Sequence, residues 1–111
     1  MPSIRLRCII DSIEERQAMF EREIALPCEP IKGDRIGVDD MDFFIDRREL
    51  YAGDKEFPEG RVFYVVKYGL MKPGFEGESP ISKLRHTDKY FQDHGWKRIA
   101  ASKAWITTVE T

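Results

Sequence analysis

The residues best able to move a proton near neutral pH or to hold a metal ion are His86 and His94. They stand eight residues apart on a segment that reads as helix, about 12 Å along its axis. That is too far for both to grip one ion, and Asp88 and Asp93 beside them lack ligand spacing. His94, next to Gly95, reads as a last-turn residue whose charge would suit the helix dipole. Cys8 and Cys28 have no second Cys or His pair to complete a zinc site, so both read as small apolar core residues. Asp39, Asp40 and Asp42 lack the alternating acids, glycine and distant glutamate of a calcium loop and read as a hairpin turn. Gly69, Gly74 and Gly77 fit neither the phosphate-loop nor the dinucleotide spacing and read as a flexible connection. No Gly-x-Ser-x-Gly elbow offers a nucleophile. The sequence therefore holds no catalytic constellation, and it calls for no metal and no cofactor.

Recognition is the chemistry that remains. Lys83, Arg85, Lys89, Lys97, Arg98 and Lys103 are interleaved with Tyr90, Phe91, Trp96 and Trp105. Cations that follow phosphates and rings that stack on bases make such a set a candidate for single-stranded nucleic acid. The formal net charge is −2, whereas a nucleic-acid module is usually basic overall. The charge is uneven: residues 29–59 hold ten acids and five bases, and residues 81–111 hold six bases and three acids. Opposed patches of this kind suit a partner protein. The leading expectation is a non-enzymatic module that binds another protein. Tyr51, Tyr64, Tyr68 and Trp105 are its candidate contact aromatics, and Arg85, Lys89, Lys97 and Arg98 its candidate charges. Nucleic-acid binding through 83–105 is the alternative. A small-molecule site or an enzyme site assembled in the fold or at a dimer interface is the third reading.

Such residues need elements to position them. Ile4, Leu6, Cys8 and Ile10 alternate with Arg5 and Arg7, a strand with one buried face. Asp11 to Gln17 reads as a loop or short turn. Met19 to Leu26 reads as a strand that Arg22 keeps half exposed or at an edge. Pro27 and Pro30 bar ladder bonding after it. Lys32-Gly33-Asp34 and Asp39 to Asp42 read as turns on either side of a short strand, Arg35 to Val38. Phe43 to Tyr51 is a further strand, and Ala52 to Gly60 is a loop. Arg61 to Leu70 is β-branched or aromatic on both phases through Val62 to Val66, so it belongs at the centre of a sheet with both faces covered. Lys72 to Pro80 is an irregular loop.

One helix is expected over about 80–94, capped by Ser79, with Ile81, Leu84 and Phe91 on one face. Gly95 ends it in the left-handed conformation and folds Trp96 back on Phe91. Lys97 to Val109 then reads as the final strand, with room for a break.

The chain has 111 residues, 41% of them hydrophobic and 34% charged, which fits one domain over 1–111 with a real core. No stretch is apolar for the roughly 20 residues a spanning helix needs, and Arg5 and Arg7 interrupt what a signal peptide would keep apolar. A cytoplasmic location without membrane contact is the expectation. The fold class expected is mainly-β α+β: an antiparallel, twisted sheet of five to six strands or a small partly closed barrel, with one helix before the last strand. The segment from Pro30 to Val38, followed by Asp39 to Ile45, is similar to hairpins of small Src-homology-type barrels. There a proline-bearing entry and a Gly-Asp turn lead into one strand, and an acidic turn leads into the next. The resemblance implies partial closure and no particular activity.

Overall fold

The computed structural model describes residues 2–11, 17–69 and 80–110. Their elements are β1 (Ser3–Asp11), β2 (Gln17–Ala25), β3 (Arg35–Val38), β4 (Met41–Tyr51), β5 (Arg61–Gly69), α1 (Pro80–Asp93), β6 (Lys97–Ala101) and α2 (Lys103–Glu110). Of the loop expected from Asp11 to Gln17, the two end residues belong to β1 and β2 and residues 12–16 lie outside the described residues, as do the connection through Gly74 and Gly77, the Ser79 cap and the side chain of Ile81.

The six strands form one sheet in the order β3-β4-β5-β1-β2-β6. It is mainly β, as expected, but it is mixed and open rather than antiparallel and closed. β1 and β5 run parallel, from Leu6 opposite Tyr64 to Asp11 opposite Gly69; the other ladders are antiparallel. Local turn signals specify which neighbours fold back on each other. They carry nothing about a pairing between strands some fifty residues apart. The two-phase apolar run of β5 did mark it as central, and Phe63, Tyr64, Val65 and Val66 are all buried, whereas Val62, expected to be covered with them, is 42% exposed because β1 does not pair with β5 there.

One face of the sheet carries Ile4, Leu6, Cys8, Ile10, Ala18 and Phe20, all buried. The helices cover its upper part, where β1 and β5 end. Phe91 of α1 is the hub: its ring lies 5.0 Å from Phe20, 5.8 Å from Tyr68 and 5.1 Å from Trp96. The helix stop forms as its residues dictate. Gly95 has φ +85°, and the Trp96 amide donates to the Phe91 carbonyl at 2.9 Å.

The last segment corrects the expected strand. Only Lys97–Ala101 is extended, and Lys103–Glu110 is a second helix. Ser102 caps it, with its hydroxyl accepting from the Trp105 amide at 3.2 Å. Ala101, Trp105 and Val109 are spaced by four, which satisfies a two-residue and a 3.6-residue period alike. The cap decides between them.

β2 is half exposed, one of the two expectations, but it is not an edge strand. It lies between β1 and β6, although β6 pairs only Ala18 to Glu21, which leaves Arg22 to Ala25 open on that side. From β2 the chain crosses the lower, helix-free part of the same face to reach β3. It is anchored by the Leu26 amide on the Pro2 carbonyl at 2.9 Å, with Pro30 buried. Both prolines sit on this crossing, where no ladder needs their N–H.

Candidate functional site

The late basic-aromatic segment closes on itself. Trp105 is fully buried, and Asp88 is 6% exposed. The Trp105 indole N–H donates to Asp88 Oδ1 at 2.9 Å, Arg98 donates to the same oxygen at 2.7 Å, and Gln92 donates to Oδ2 at 2.6 Å. One carboxylate thus ties α1 to β6 and α2. Arg85 donates through Nε to the Thr108 carbonyl at 3.0 Å, a further tie between the helices. Lys89 and Lys97 are exposed, but Phe91 and Trp96, which would stack bases, are core residues along with Trp105. Tyr68 is half-buried against Phe91, and burial raises its pKa.

Tyr51 lies far from these, on the helix-free face. There Arg7 donates to Glu21 at 2.8 Å and to the Tyr51 hydroxyl at 2.7 Å, with its guanidinium 3.9 Å from the Phe63 ring centroid. This network covers the second apolar layer, Phe63 and Val65. The fold therefore does not bring Tyr51, Tyr68, Arg85, Lys89, Lys97, Arg98 and Trp105 to one surface. Cys8 is buried as expected, whereas Cys28 is exposed on the crossing segment.

A different set of residues converges at the lower end of the sheet, where β1 and β5 begin. The β1–β5 ladder starts only at Leu6 and Tyr64. Ser3 to Arg5 pair with β2 alone, and Arg61 to Phe63 with β4 alone. The sheet is split there, and the split opens a cavity of about 350 Å³ lined by Ile4, Arg5, Glu29, Arg48, Phe57, Arg61, Val62 and Tyr64, among others. A second hollow of about 300 Å³, lined by Ile31, Lys32, Ile45, Arg48 and Tyr64 with Pro30, adjoins it. Arg48 and Tyr64 belong to both.

Each part has a local cause. A bulge between Ile45 and Arg47 adds one residue to β4. Without it, Arg47, Glu49 and Tyr51 would continue the inward phase of Phe43 and Ile45. With it, Arg48 and Leu50 take that phase opposite Tyr64 and Val62, and the other three join Arg7 on the far face. The loop after β4 is wound tightly: the Phe57 amide donates to Asp54 Oδ1 at 2.7 Å and the Gly60 amide to the Phe57 carbonyl at 2.9 Å. Gly60 has φ +85°, and a Cβ there would stand 2.5 Å from the Tyr51 carbonyl oxygen, so only glycine fits. The loop holds the Phe57 ring against two guanidiniums, 5.1 Å from Arg5 and 4.8 Å from Arg61.

Among the described residues the charge of this end is only partly answered. Arg5 and Arg48 make no hydrogen bond or ion pair among the described residues. Arg61 reaches Asp54 only at 3.4 Å, and its Nε is buried without an acceptor. Among the described residues of the lining, three guanidiniums face one carboxylate, Glu29. By contrast the hollow beside β3 has Lys32 and Lys67 against Asp42 and Asp46, a balanced set. The apolar surface beside the split is exposed too: Ile31 by 71%, Leu50 by 67% and Val62 by 42%.

Sequence reading missed this site because its residues come from the starts of β1 and β5, the end of β4 and two loops. Only the long-range parallel pairing and the bulge bring them together. Comparison with protein families, with characterised proteins and with solved structures finds no match to this chain. Among the described residues no group of His, Cys, Asp and Glu could hold a metal ion, and no helix is long and apolar enough to cross a membrane.

Proposed function

We propose that the protein is a non-enzymatic binding module and that a segment of a partner protein docks on the lower end of its sheet. The observation that carries this is the coincidence of Ile31, Leu50 and Val62, all exposed, with a polar-rimmed split in the sheet. Large aliphatic side chains gathered round a cleft mark interaction sites more often than isolated ones do. Beyond Ile45 the outer edge of β4 also lacks a ladder partner, since β3 pairs only with Met41 to Phe44. Open backbone groups beside an apolar strip are what an extended polypeptide uses.

The test is site-specific crosslinking in the cells that make the protein. A photoreactive phenylalanine replaces Val62 in one variant and Lys89, on the exposed side of α1, in the other. A discrete adduct with a second polypeptide is expected from position 62, absent from position 89, and lost when Leu50→Asp is added. No adduct at 62, or the same adducts from both positions, overturns the reading.

A further inference from the structure

We infer that the docking segment is acidic, its carboxylates received by Arg48 together with Arg5 and Arg61. This rests on the reading of the lower end as a docking surface and adds the chemistry of what docks. In this chain both part-buried and exposed guanidiniums find a carboxylate: Arg7, Arg22, Arg35, Arg47 and Arg98 each do. The arginines round the split are the departure: half-buried Arg5 and exposed Arg48 have no such partner among the described residues, and Arg61 has a loose one. The Arg61 Nε in addition leaves a buried donor without an acceptor. Lys32 in the adjoining hollow adds a further cation.

Charge complementarity thus selects an anion, and the rest of the lining selects the kind. Bases of a nucleic acid need open aromatic faces. The surface beside the split offers Ile31, Leu50 and Val62, aliphatic side chains, and the Phe57 ring is already engaged by two guanidiniums. Glu29 on the rim would repel an unbroken run of phosphates yet leaves room for separate carboxylates. Arg5 shares the phase of Arg7 on β1, whereas Arg48 takes the inward phase of β4, so the two reach the split from different faces of the sheet. The ligand is therefore a short polypeptide stretch with more than one acid and an apolar side chain beside them.

The test is fluorescence anisotropy on the whole chain at low salt. The probes are labelled peptide pools that combine Asp and Glu with Leu and Ile, Lys with Leu and Ile, or Asp and Glu with Ser. A labelled oligothymidine is a fourth probe, and inorganic phosphate is a competitor. The acidic–aliphatic pool is expected to bind at least tenfold more tightly than the others and to weaken as salt rises. Arg48→Gln should weaken it about tenfold and Arg5→Gln with Arg48→Gln about a hundredfold, the size of charge-assisted hydrogen bonds lost. Arg48→Lys should recover part of the loss, and Lys89→Gln should change nothing. Circular dichroism and thermal midpoints check that each variant is folded. Equal binding of acidic and basic pools, no binding of any pool, indifference to Arg48→Gln, or preference for the oligothymidine overturns the inference. An adduct at position 62 combined with failure of the acidic pool leaves the docking surface standing and removes only its acidic ligand.

Discussion

The two ends of this sheet treat charge in opposite ways. At the helix-covered end the Asp88 carboxylate is buried and takes three donors, from Trp105, Arg98 and Gln92. At the lower end Arg5 and Arg48 have no hydrogen-bond or ion-pair partner among the described residues, and Arg61 reaches one carboxylate at 3.4 Å. A buried charge is tolerated when partners and hydrogen bonds satisfy it. The first end is thus a polar tie inside the fold. The second lines an open split, and in the proposed reading a partner answers its charge. The lesson is that the density of basic residues along a sequence does not locate a recognition surface. Neutralisation within the fold removes Arg98, and burial removes Trp105. Arg5 of β1 and Arg48 of β4, by contrast, meet no carboxylate among the described residues.

Substitutions at the upper end should have the largest effects on stability. Trp105→Ala removes a fully buried indole that packs on Phe20 and leaves Asp88 short of a donor. It is expected to cost about 4 kcal/mol in urea denaturation. Asp88→Ala deletes the shared acceptor and leaves the Trp105 N–H, Arg98 and Gln92 searching for partners at once. It should cost about 3 kcal/mol. A cost for Asp88→Ala as small as that of an exposed position would break the contrast between the ends, since the carboxylate would then not be what ties the helices down.

The dryness of the covered region can be read from Cys8. Burial pushes its thiol up from 9.0 to about 12. The folded chain keeps this proton over a range in which the unfolded chain loses it. Its contribution is therefore complete below about pH 9 and is lost as the pH rises toward 12, by about 1.4 kcal/mol per pH unit. Stability of the native chain should fall more steeply above pH 9 than that of Cys8→Ala, measured by urea midpoints at successive pH values. In the native state at neutral pH a thiol reagent should modify Cys28 promptly and Cys8 only on unfolding. Prompt reaction of both would show that the covered face is open.

What the sequence made legible was local. β1, β5, the turn at Gly33, the α1 boundary and the Gly95–Trp96 stop all follow from patterns within ten or so residues. The split in the sheet does not, because it depends on where a parallel ladder between β1 and β5 begins, and no turn signal fixes that register. Arg48 was equally hidden. Its inward phase depends on the bulge at Asp46, and strict alternation through β4 would have put Arg47 there instead. Trp105 was misplaced for the opposite reason: its aromatic chemistry suggested a surface role, whereas the Ser102 cap turns it inward on a helix. Closure into a barrel failed because β3 is four residues long and β6 pairs over half of β2 only, which leaves the sheet's two margins apart.

The smallest effect is the most discriminating. Arg5→Gln and Arg48→Gln each remove a cation that makes no hydrogen bond or ion pair among the described residues, so each should change stability by less than about 0.5 kcal/mol. The expectation runs further for Arg48. Gathering Arg5, Arg48 and Arg61 round one split builds repulsion between like charges, and removing one member relieves it. Urea midpoints at low salt should therefore stay level or rise slightly for Arg48→Gln, and added salt should erase the gain. A loss of stability comparable to that of Asp88→Ala would mean that Arg48 holds the fold together, and the lower end would then be a second structural tie and not a surface kept open for a partner.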